Sequence, residues 1–378
     1  MVSVLRTPTD RFKISRLFIL IGLLNVLGHH ALQATQENAQ DDIVFKNGEL
    51  IKSSYSYKGF DISTVLIKPV DATDFYTIII VPGYPCQNVL ASGIDHPYLK
   101  FAQAMLDKNV ATLILEKPGT GDSDKSLNCN KLGFDEETII FQKGYESALE
   151  MTEINSKKVI LFGHSMGGKQ IARIASNKPP NGLMIYGVGA STWFEYMMGV
   201  VKTQFPMFGT SYSDAEYFNR TNLSAQYAFY YEDKSPIQIV RDNASAELYF
   251  KNVYSWDGKE MLMGRHYSYW QELNKQNLAQ ELNNTSFPIL VLHGSSDVAS
   301  YSREDAEKIA LMANQQFKGR ATFLEVKDTN HHMLKITRAD NLNFRSRGTY
   351  GQMRKQLDTN PLMINSMLAW IEDIKDSN

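Results

Sequence analysis

Residues 159–168 read Val-Ile-Leu-Phe-Gly-His-Ser-Met-Gly-Gly. The first four form a continuous apolar run, which is typical of a strand buried on both faces. The next five fit the pattern G-x-S-x-G, and a helical pattern begins at Gly167. In such a strand–turn–helix corner, the nucleophile elbow, the serine occupies a strained turn and the glycines leave room for neighbouring backbone. The stretch therefore predicts that Ser165 is presented as a nucleophile at the end of a central strand.

From residue 60 onward the chain alternates strand patterns with helix patterns. Strands are predicted at 62–68, 77–81, 110–115, 158–162, 183–188, 288–292 and 321–326, and helices at 97–108, 136–153, 167–176, 303–317 and 361–375. Residues 78–81 and 289–292 are apolar at every position, as in strands covered on both faces. The alternation indicates an α/β fold in which helices flank both faces of a mostly parallel sheet.

A serine hydroxyl is a good nucleophile only when a base removes its proton. After an elbow of this kind the expected chain order is serine, acid, histidine, each just past the end of a strand. Asp297 and His331 both follow predicted strands after short polar loops. We therefore predict Asp297 as the orienting acid and His331 as the base. For Asp297, the alternative is that it only caps the helix after it. For the base, the alternatives are the adjacent His332 and, less well placed, His164.

The negative charge that develops on a reacting carbonyl oxygen requires hydrogen-bond donors. One donor is expected to be the backbone N–H of Met166, directly after the nucleophile. The other is expected to be the backbone N–H of Tyr84, in the loop after the strand at 77–81, where Gly83 permits a tight turn.

The chain has two cysteines, Cys86 and Cys129. In an exported protein an even number of cysteines favours a disulfide, and this one would brace the loop that carries Tyr84. Two separate buried thiols are the alternative.

Residues 191–285 interrupt the strand–helix alternation. Nineteen of the chain's 42 aromatic residues lie within 193–270. A segment of this length is too long for a plain loop, so we predict a small, mainly helical subdomain. Its aromatic side chains either line a substrate site or fill the subdomain's own core. Arg265 and His266 are expected to be a solvated pair rather than ligands for a carboxylate.

The composition excludes several classes of protein. The chain has 378 residues, is 43% hydrophobic and carries a net charge of −2, so neither disorder nor a nucleic-acid partner is indicated.

Residues 1–34 combine a basic leader with a short apolar run and small residues, which predicts a signal peptide and an exported (periplasmic or secreted) protein. The alternative is an uncleaved membrane anchor, and contact with a membrane is expected only in that case.

These motifs, in this order, resemble the α/β-hydrolase superfamily. The resemblance spans roughly residues 60–190 and 286–376 and is carried by 82–84, by 116–123 (Glu-Lys-Pro-Gly-Thr-Gly-Asp-Ser), by 163–167, by Asp297 and by the histidine pair. It implies a mostly parallel eight-stranded sheet, a core of residues 43–190 and 286–378, and a cap formed by 191–285. Pro82 stands where the family usually has histidine. Glu116 replaces the usual aspartate, so we assign it no catalytic role.

The leading functional hypothesis is a serine hydrolase that cleaves a small-molecule carboxylic ester through an acyl-enzyme, with no metal or organic cofactor. A peptidase or amidase of the same fold is the alternative, and it requires acids such as Glu195 or Glu232 to anchor a free amine. A binding protein that has lost the chemistry is a third possibility. The sequence does not indicate an oligomeric state.

Overall fold

The computed structural model describes residues 43–375, so the predicted signal peptide at 1–34 lies outside the described residues. Eight strands form one sheet: β1 (Gly48–Tyr57), β2 (Phe60–Pro69), β3 (Thr77–Val81), β4 (Ala111–Leu115), β5 (Val159–His164), β6 (Gly182–Tyr186), β7 (Ile289–Gly294) and β8 (Ala321–Val326). Their order across the sheet is β1-β2-β4-β3-β5-β6-β7-β8. Strands β1 and β2 pair antiparallel, as do β2 and β4, and all other pairs are parallel. The predicted α/β fold with a mostly parallel eight-stranded sheet is confirmed.

The central strands are apolar at every position because both of their faces are covered. In β3, Ile79 and Val81 point into one core cluster, and Ile78 and Ile80 point into the cluster on the opposite face. Since successive side chains of a strand alternate between faces, a strand with two dry faces needs an unbroken apolar run. The sequence pattern does not predict strand β1, because this edge strand is rich in serine and lysine and is partly exposed.

Three helices of the first half of the chain pack on the sheet: α1 (Pro97–Leu106), α2 (Phe134–Ala148) and α3 (Gly167–Ile174). Helix α2 begins two residues before the predicted start and ends five residues before the predicted end. Two short 3₁₀ turns, Leu90–Asp95 and Cys129–Lys131, precede α1 and α2.

The aromatic-rich segment between β6 and β7 is mainly helical. It contains α4 (Trp193–Gly199), which continues through Val200–Gln204 and Phe205–Met207, then α5 (Tyr212–Tyr231), α6 (Pro236–Asp242), α7 (Ala246–Tyr254), α8 (Tyr267–Lys275) and α9 (Leu278–Asn283). A short hairpin, Met261–Leu262 with Arg265–His266, joins α7 to α8. Phe229, Tyr249 and Phe250 are fully buried against one another, so part of the aromatic content fills the cap's own core.

Four helices complete the fold: α10 (Arg303–Ala313), α11 (Arg338–Ser346), α12 (Tyr350–Gln356) and α13 (Pro361–Lys375). Helix α10 stops four residues before the predicted end. The sequence pattern does not predict helices α11 and α12, because both are polar and carry little apolar periodicity. Among the residues described, no helix has both the length and the apolar character needed to cross a membrane.

Candidate active site

Ser165 lies on the corner between β5 and α3. Its φ is +54°, in the left-handed region that side-chain-bearing residues rarely adopt. The flanking glycines are required sterically: a Cβ on Gly163 would lie 2.6 Å from the Cα of Gly168, and a Cβ on Gly167 would lie 2.1 Å from the carbonyl oxygen of Val81. The structure therefore shows the strained corner and the crowded backbone that the sequence predicts.

A continuous hydrogen-bonded chain joins Ser165, His331 and Asp297. His331 Nδ1 lies 2.8 Å from Asp297 Oδ2, and His331 Nε2 lies 3.1 Å from Ser165 Oγ. Because an ionised carboxylate can only accept, the proton of the neutral imidazole is on Nδ1. The Nε2 lone pair is then directed at the serine hydroxyl, which is the geometry of a general base beside its nucleophile.

Asp297 is fully buried at the end of β7. Its second oxygen accepts the backbone N–H groups of Ala299 and Ser300 at 2.8 and 2.9 Å. Burial alone would raise its pKa, but His331, then His293 and the N–H of Ser300, lower the pKa of Asp297 to about 2. Since this pKa lies below the ordinary 3.8, the carboxylate stays ionised as the pH falls until about pH 2.

The two other candidate histidines do not contact the serine hydroxyl. His332 Nδ1 lies 2.7 Å from the hydroxyl of Tyr350. His164 Nε2 lies 2.7 Å from the backbone carbonyl of His331, and its Nδ1 lies 2.7 Å from the hydroxyl of Tyr98. Burial, and then the neighbouring His331, lower the pKa of His164 to about 3, so the ring is neutral. Because a carbonyl only accepts, Nε2 carries the proton, and His164 holds the backbone of His331 in place.

Substitution of His164 by phenylalanine is expected to keep an aromatic ring, somewhat larger than imidazole, at this position and to remove this restraint on His331. We expect kcat for any ester that the protein hydrolyses to fall roughly 10- to 100-fold, because small displacements of reacting groups are costly. The thermal midpoint and kcat are measured together. An unchanged kcat in a folded variant would show that His331 needs no such support.

The loop after β3 passes directly over the serine. A Cβ on Gly83 would lie 3.0 Å from Ser165 Cβ, and the N–H of Gly83 donates to the Tyr98 hydroxyl at 3.2 Å. Within residues 43–375, neither the N–H of Tyr84 nor that of Met166 has a protein acceptor. Both N–H groups are therefore unengaged within the described residues.

Cys86 and Cys129 form a disulfide, which ties the Tyr84 loop to the turn before α2. The guanidinium of Arg265, from the cap hairpin, reaches the same place: its Nη1 donates to the carbonyl of Tyr84 at 3.0 Å and lies 3.5 Å from both sulfurs. The expectation that Arg265 is solvated is therefore wrong, since only 1% of it is exposed. Its neighbour His266 is half-buried and accepts from the backbone of Ser268. No local pattern identifies Arg265, because its partners are distant in sequence.

Glu137 lies beneath this loop and is the shared partner of two buried cations. Its carboxylate is 2.9 Å from Arg265 Nη1 and 2.9 Å from Lys117 Nζ, and all three side chains are at most 2% exposed. Burial opposes ionisation of Glu137, but Arg265 and Lys117 lower its pKa below the ordinary value. Burial lowers the pKa of Lys117 to about 8. Lys117 and Arg265 thus share the single negative charge of Glu137.

Substitution of Glu137 by glutamine is expected to destabilise the protein by about 3–5 kcal/mol, because two buried cations lose their counter-charge. Urea unfolding of the purified chain measures the change. The matched control is Glu136→Gln: Glu136 is a half-exposed neighbour paired with Lys58, and its loss is expected to cost less than about 1 kcal/mol. Equal losses in the two variants would contradict the shared-partner role of Glu137.

A cavity of about 190 Å³ opens over the chain of Ser165 and His331. Trp193, Tyr196 and Phe208 contribute an aromatic wall from the cap, so some of the segment's aromatic residues do line the site. Glu116 also lines the cavity, but its carboxylate accepts from the backbone of Val89 and the hydroxyl of Thr120, which makes it part of the wall. Within the described part of the chain, no group of three or more His, Cys, Asp or Glu side chains is placed to hold a metal ion.

Residues 76–335 match the family described as alpha/beta hydrolase fold. No curated protein matches the chain. Among solved structures, it is similar to the hypothetical protein PA2218 from Pseudomonas aeruginosa (15% identity, TM-score 0.49, covering 85% of this chain and 98% of that one). It is also similar to Est1E from Butyrivibrio proteoclasticus with bound ferulic acid (14% identity, TM-score 0.47, covering 80% of this chain and 98% of that one). A third similar structure is proline iminopeptidase from Mycobacterium smegmatis (14% identity, TM-score 0.49, covering 81% of this chain and 99% of that one).

Proposed function

The chain belongs to the alpha/beta hydrolase fold family, and we propose that it is a serine hydrolase that cleaves carboxylic esters through an acyl-enzyme on Ser165. The observation that carries the proposal is the hydrogen-bonded chain from Ser165 through His331 to the buried, ionised Asp297. A serine placed on a strained corner with this base and this acid is equipped for acyl transfer.

The proposed reaction uses this geometry. Ser165 Oγ attacks the ester carbonyl and transfers its proton to His331 Nε2, while Asp297 stabilises the imidazolium that results. The N–H groups of Tyr84 and Met166 donate to the carbonyl oxygen as it becomes negative. Collapse of the tetrahedral intermediate breaks the ester C–O bond, and His331 returns the proton to the departing alcohol. Water, deprotonated by His331, then attacks the acyl-enzyme; the bond from Ser165 Oγ to the acyl carbon breaks, His331 returns the proton to Ser165 Oγ, and the acid is released.

The two acids named for the peptidase alternative do not support it. The acids that such a peptidase would need at 195 and 232 do not line the cavity. Glu195 caps α4 by accepting the N–H of Thr192, and Glu232 pairs with Lys234. With these two acids engaged elsewhere, neither is placed to anchor the amine of a peptide at the site.

A substrate panel tests the reaction class. The purified protein is assayed on p-nitrophenyl esters of increasing acyl length and on aminoacyl p-nitroanilides. We expect turnover of esters, with a preference set by the length of the cavity, and little turnover of anilides. Efficient cleavage of anilides with weak ester hydrolysis would favour the peptidase, and inertness toward both series would favour a binding protein.

The disulfide supports a related proposal, that the protein is exported through residues 1–34. Disulfides persist in oxidising compartments and are rare in reducing ones. Thiol alkylation of protein isolated from its native cells, with and without reductant, should modify cysteine only after reduction, and N-terminal sequencing should begin near residue 35. Free thiols in the native protein would contradict the proposal.

A further inference from the structure

Arg345, on α11, is a buried cation without a counter-charge. It is only 4% exposed, its Nε donates to Asn341 Oδ1 at 3.2 Å, and its guanidinium lies 4.1 Å from the centre of the Tyr350 ring. No carboxylate among the described residues lies within ion-pair distance of it. Because a buried charge is costly unless it is paired, this arrangement is suited to an anion that arrives from outside.

The same arginine lines the cavity that contains Ser165 and His331. A chain of contacts links Arg345 to His331. Arg345 stacks on the Tyr350 ring, and the Tyr350 hydroxyl lies 2.7 Å from Nδ1 of His332, which follows His331 directly in sequence. An anion bound by Arg345 would therefore be held close to the base of the catalytic chain.

A second arginine, Arg354 on α12, also lines the cavity. Both arginines lie near His332: burial, Arg354 and then Arg345 are among the causes that lower the pKa of His332 well below its ordinary value. His332 is thus neutral and does not add to the charge. Asp95 acts on Arg354 electrostatically but forms its salt bridge with Lys100, and Arg345 forms no salt bridge in the described chain.

The two lysines of the cavity have acceptors within the protein. Lys117 pairs with Glu137, and Lys169 donates to the carbonyls of Ala190 and Ser191 and lies in the field of Asp305. The residues that the segment 191–285 contributes to the lining are mostly aromatic or apolar, with Trp193 and Met197 among them. The lining therefore combines two arginines from α11 and α12 with apolar side chains from the segment 191–285.

We propose that Arg345, assisted by Arg354, forms a subsite for an oxyanion of the substrate, a carboxylate or a phosphate, so that the ester belongs to an anionic molecule with an apolar part. Guanidinium groups suit this role because their planar donors match the oxygens of both anions. The inference rests on the proposed ester hydrolysis and narrows its substrate class.

A purely structural role for Arg345 makes a different prediction. If Arg345 only supported Tyr350 and Asn341, its loss would affect charged and neutral substrates to the same extent. The ratio of kcat/KM for an anionic ester to that for its matched neutral ester separates the two roles, because any change common to both substrates cancels.

The test uses two matched pairs of esters. On the acyl side, p-nitrophenyl hydrogen adipate is compared with p-nitrophenyl methyl adipate, and on the alcohol side 4-carboxyphenyl butyrate is compared with its methyl ester. We expect the native protein to favour the anionic member of at least one pair by about 10- to 100-fold in kcat/KM. Competition by glutarate and by inorganic phosphate then distinguishes a carboxylate site from a phosphate site.

Variants of Arg345 test whether this residue causes the preference for the anionic ester. Arg345→Met is expected to reduce the ratio at least tenfold, and Arg345→Lys to retain part of it, since the charge remains but the planar donors are lost. The matched control is Arg347→Met, an exposed arginine at the end of the same helix, which should keep the native ratio.

The outcomes separate this inference from the proposed function. Ester hydrolysis without a preference for charge in either pair, or a preference that survives in Arg345→Met, would overturn the subsite and leave the esterase proposal standing. If no ester is hydrolysed, the proposed function is wrong, and calorimetric binding of glutarate or phosphate to the native chain, lost in Arg345→Met, still decides whether the subsite exists.

Discussion

Substitution of Ser165 by alanine is expected to lower kcat for ester hydrolysis by about 10⁴-fold or more, to the level that binding and the free N–H groups alone support. The physical reason is that His331 Nε2, 3.1 Å from the hydroxyl, then has no nucleophile to activate. The effect is measured as the initial rate on the best p-nitrophenyl ester. The variant is assayed at a higher protein concentration so that its slow rate can be measured.

The control for this loss is Ser176→Ala. Ser176 is an exposed serine just after α3, whose hydroxyl donates to the carbonyl of Arg173. This variant should hydrolyse esters at the native rate, and both variants should unfold near the native midpoint. A Ser165→Ala protein that retains more than about one hundredth of the native kcat would remove Ser165 from the mechanism.

Substitution of Asp297 by asparagine is expected to lower kcat by about 10⁴-fold. The amide cannot supply the negative charge that stabilises the imidazolium, and its NH₂ group can turn toward His331 and place the imidazole proton on Nε2, where it faces the serine. Because the pKa of Asp297 is about 2, the native carboxylate supplies that charge at any pH at which the protein is assayed.

The readout for Asp297→Asn is the rate on the same ester across pH, together with a crystal structure of the variant. A rate within tenfold of the native one, with the His331 ring in its native position, would show that the carboxylate contributes little. A large loss with a displaced His331 ring would show that Asp297 acts by orientation, and a large loss with the ring in place would assign the effect to charge.

The parts of the site that follow from local sequence are predictable. The corner at Ser165 is specified by an apolar run, two close-packed glycines and a helix start, all within ten residues. His331 and Asp297 can be predicted because each follows the end of a strand in a parallel sheet, where side chains from distant segments meet. The choice of His331 over His332 depends only on a count of loop residues, and the structure places His331 beside Asp297.

The parts that depend on long-range pairing are not predictable. Arg265 and Glu137 are 128 residues apart, and neither has a local pattern that indicates burial. The role of His164 depends on Tyr98 and on the backbone of His331, which the sequence does not place together. Arg345 lies in a polar helix without apolar periodicity, so neither the helix nor its position in the cavity is visible in the sequence.

The central claim is that the hydroxyl of Ser165, activated by His331, is the atom that bonds to the substrate. A fluorophosphonate probe reacts with such serines and leaves a stable adduct, which intact-protein and peptide mass spectrometry locate. We expect one adduct per chain, on the peptide that contains Ser165, and none in the Ser165→Ala protein or after unfolding. Failure of the folded native chain to react, or an adduct on any other residue, would contradict the account.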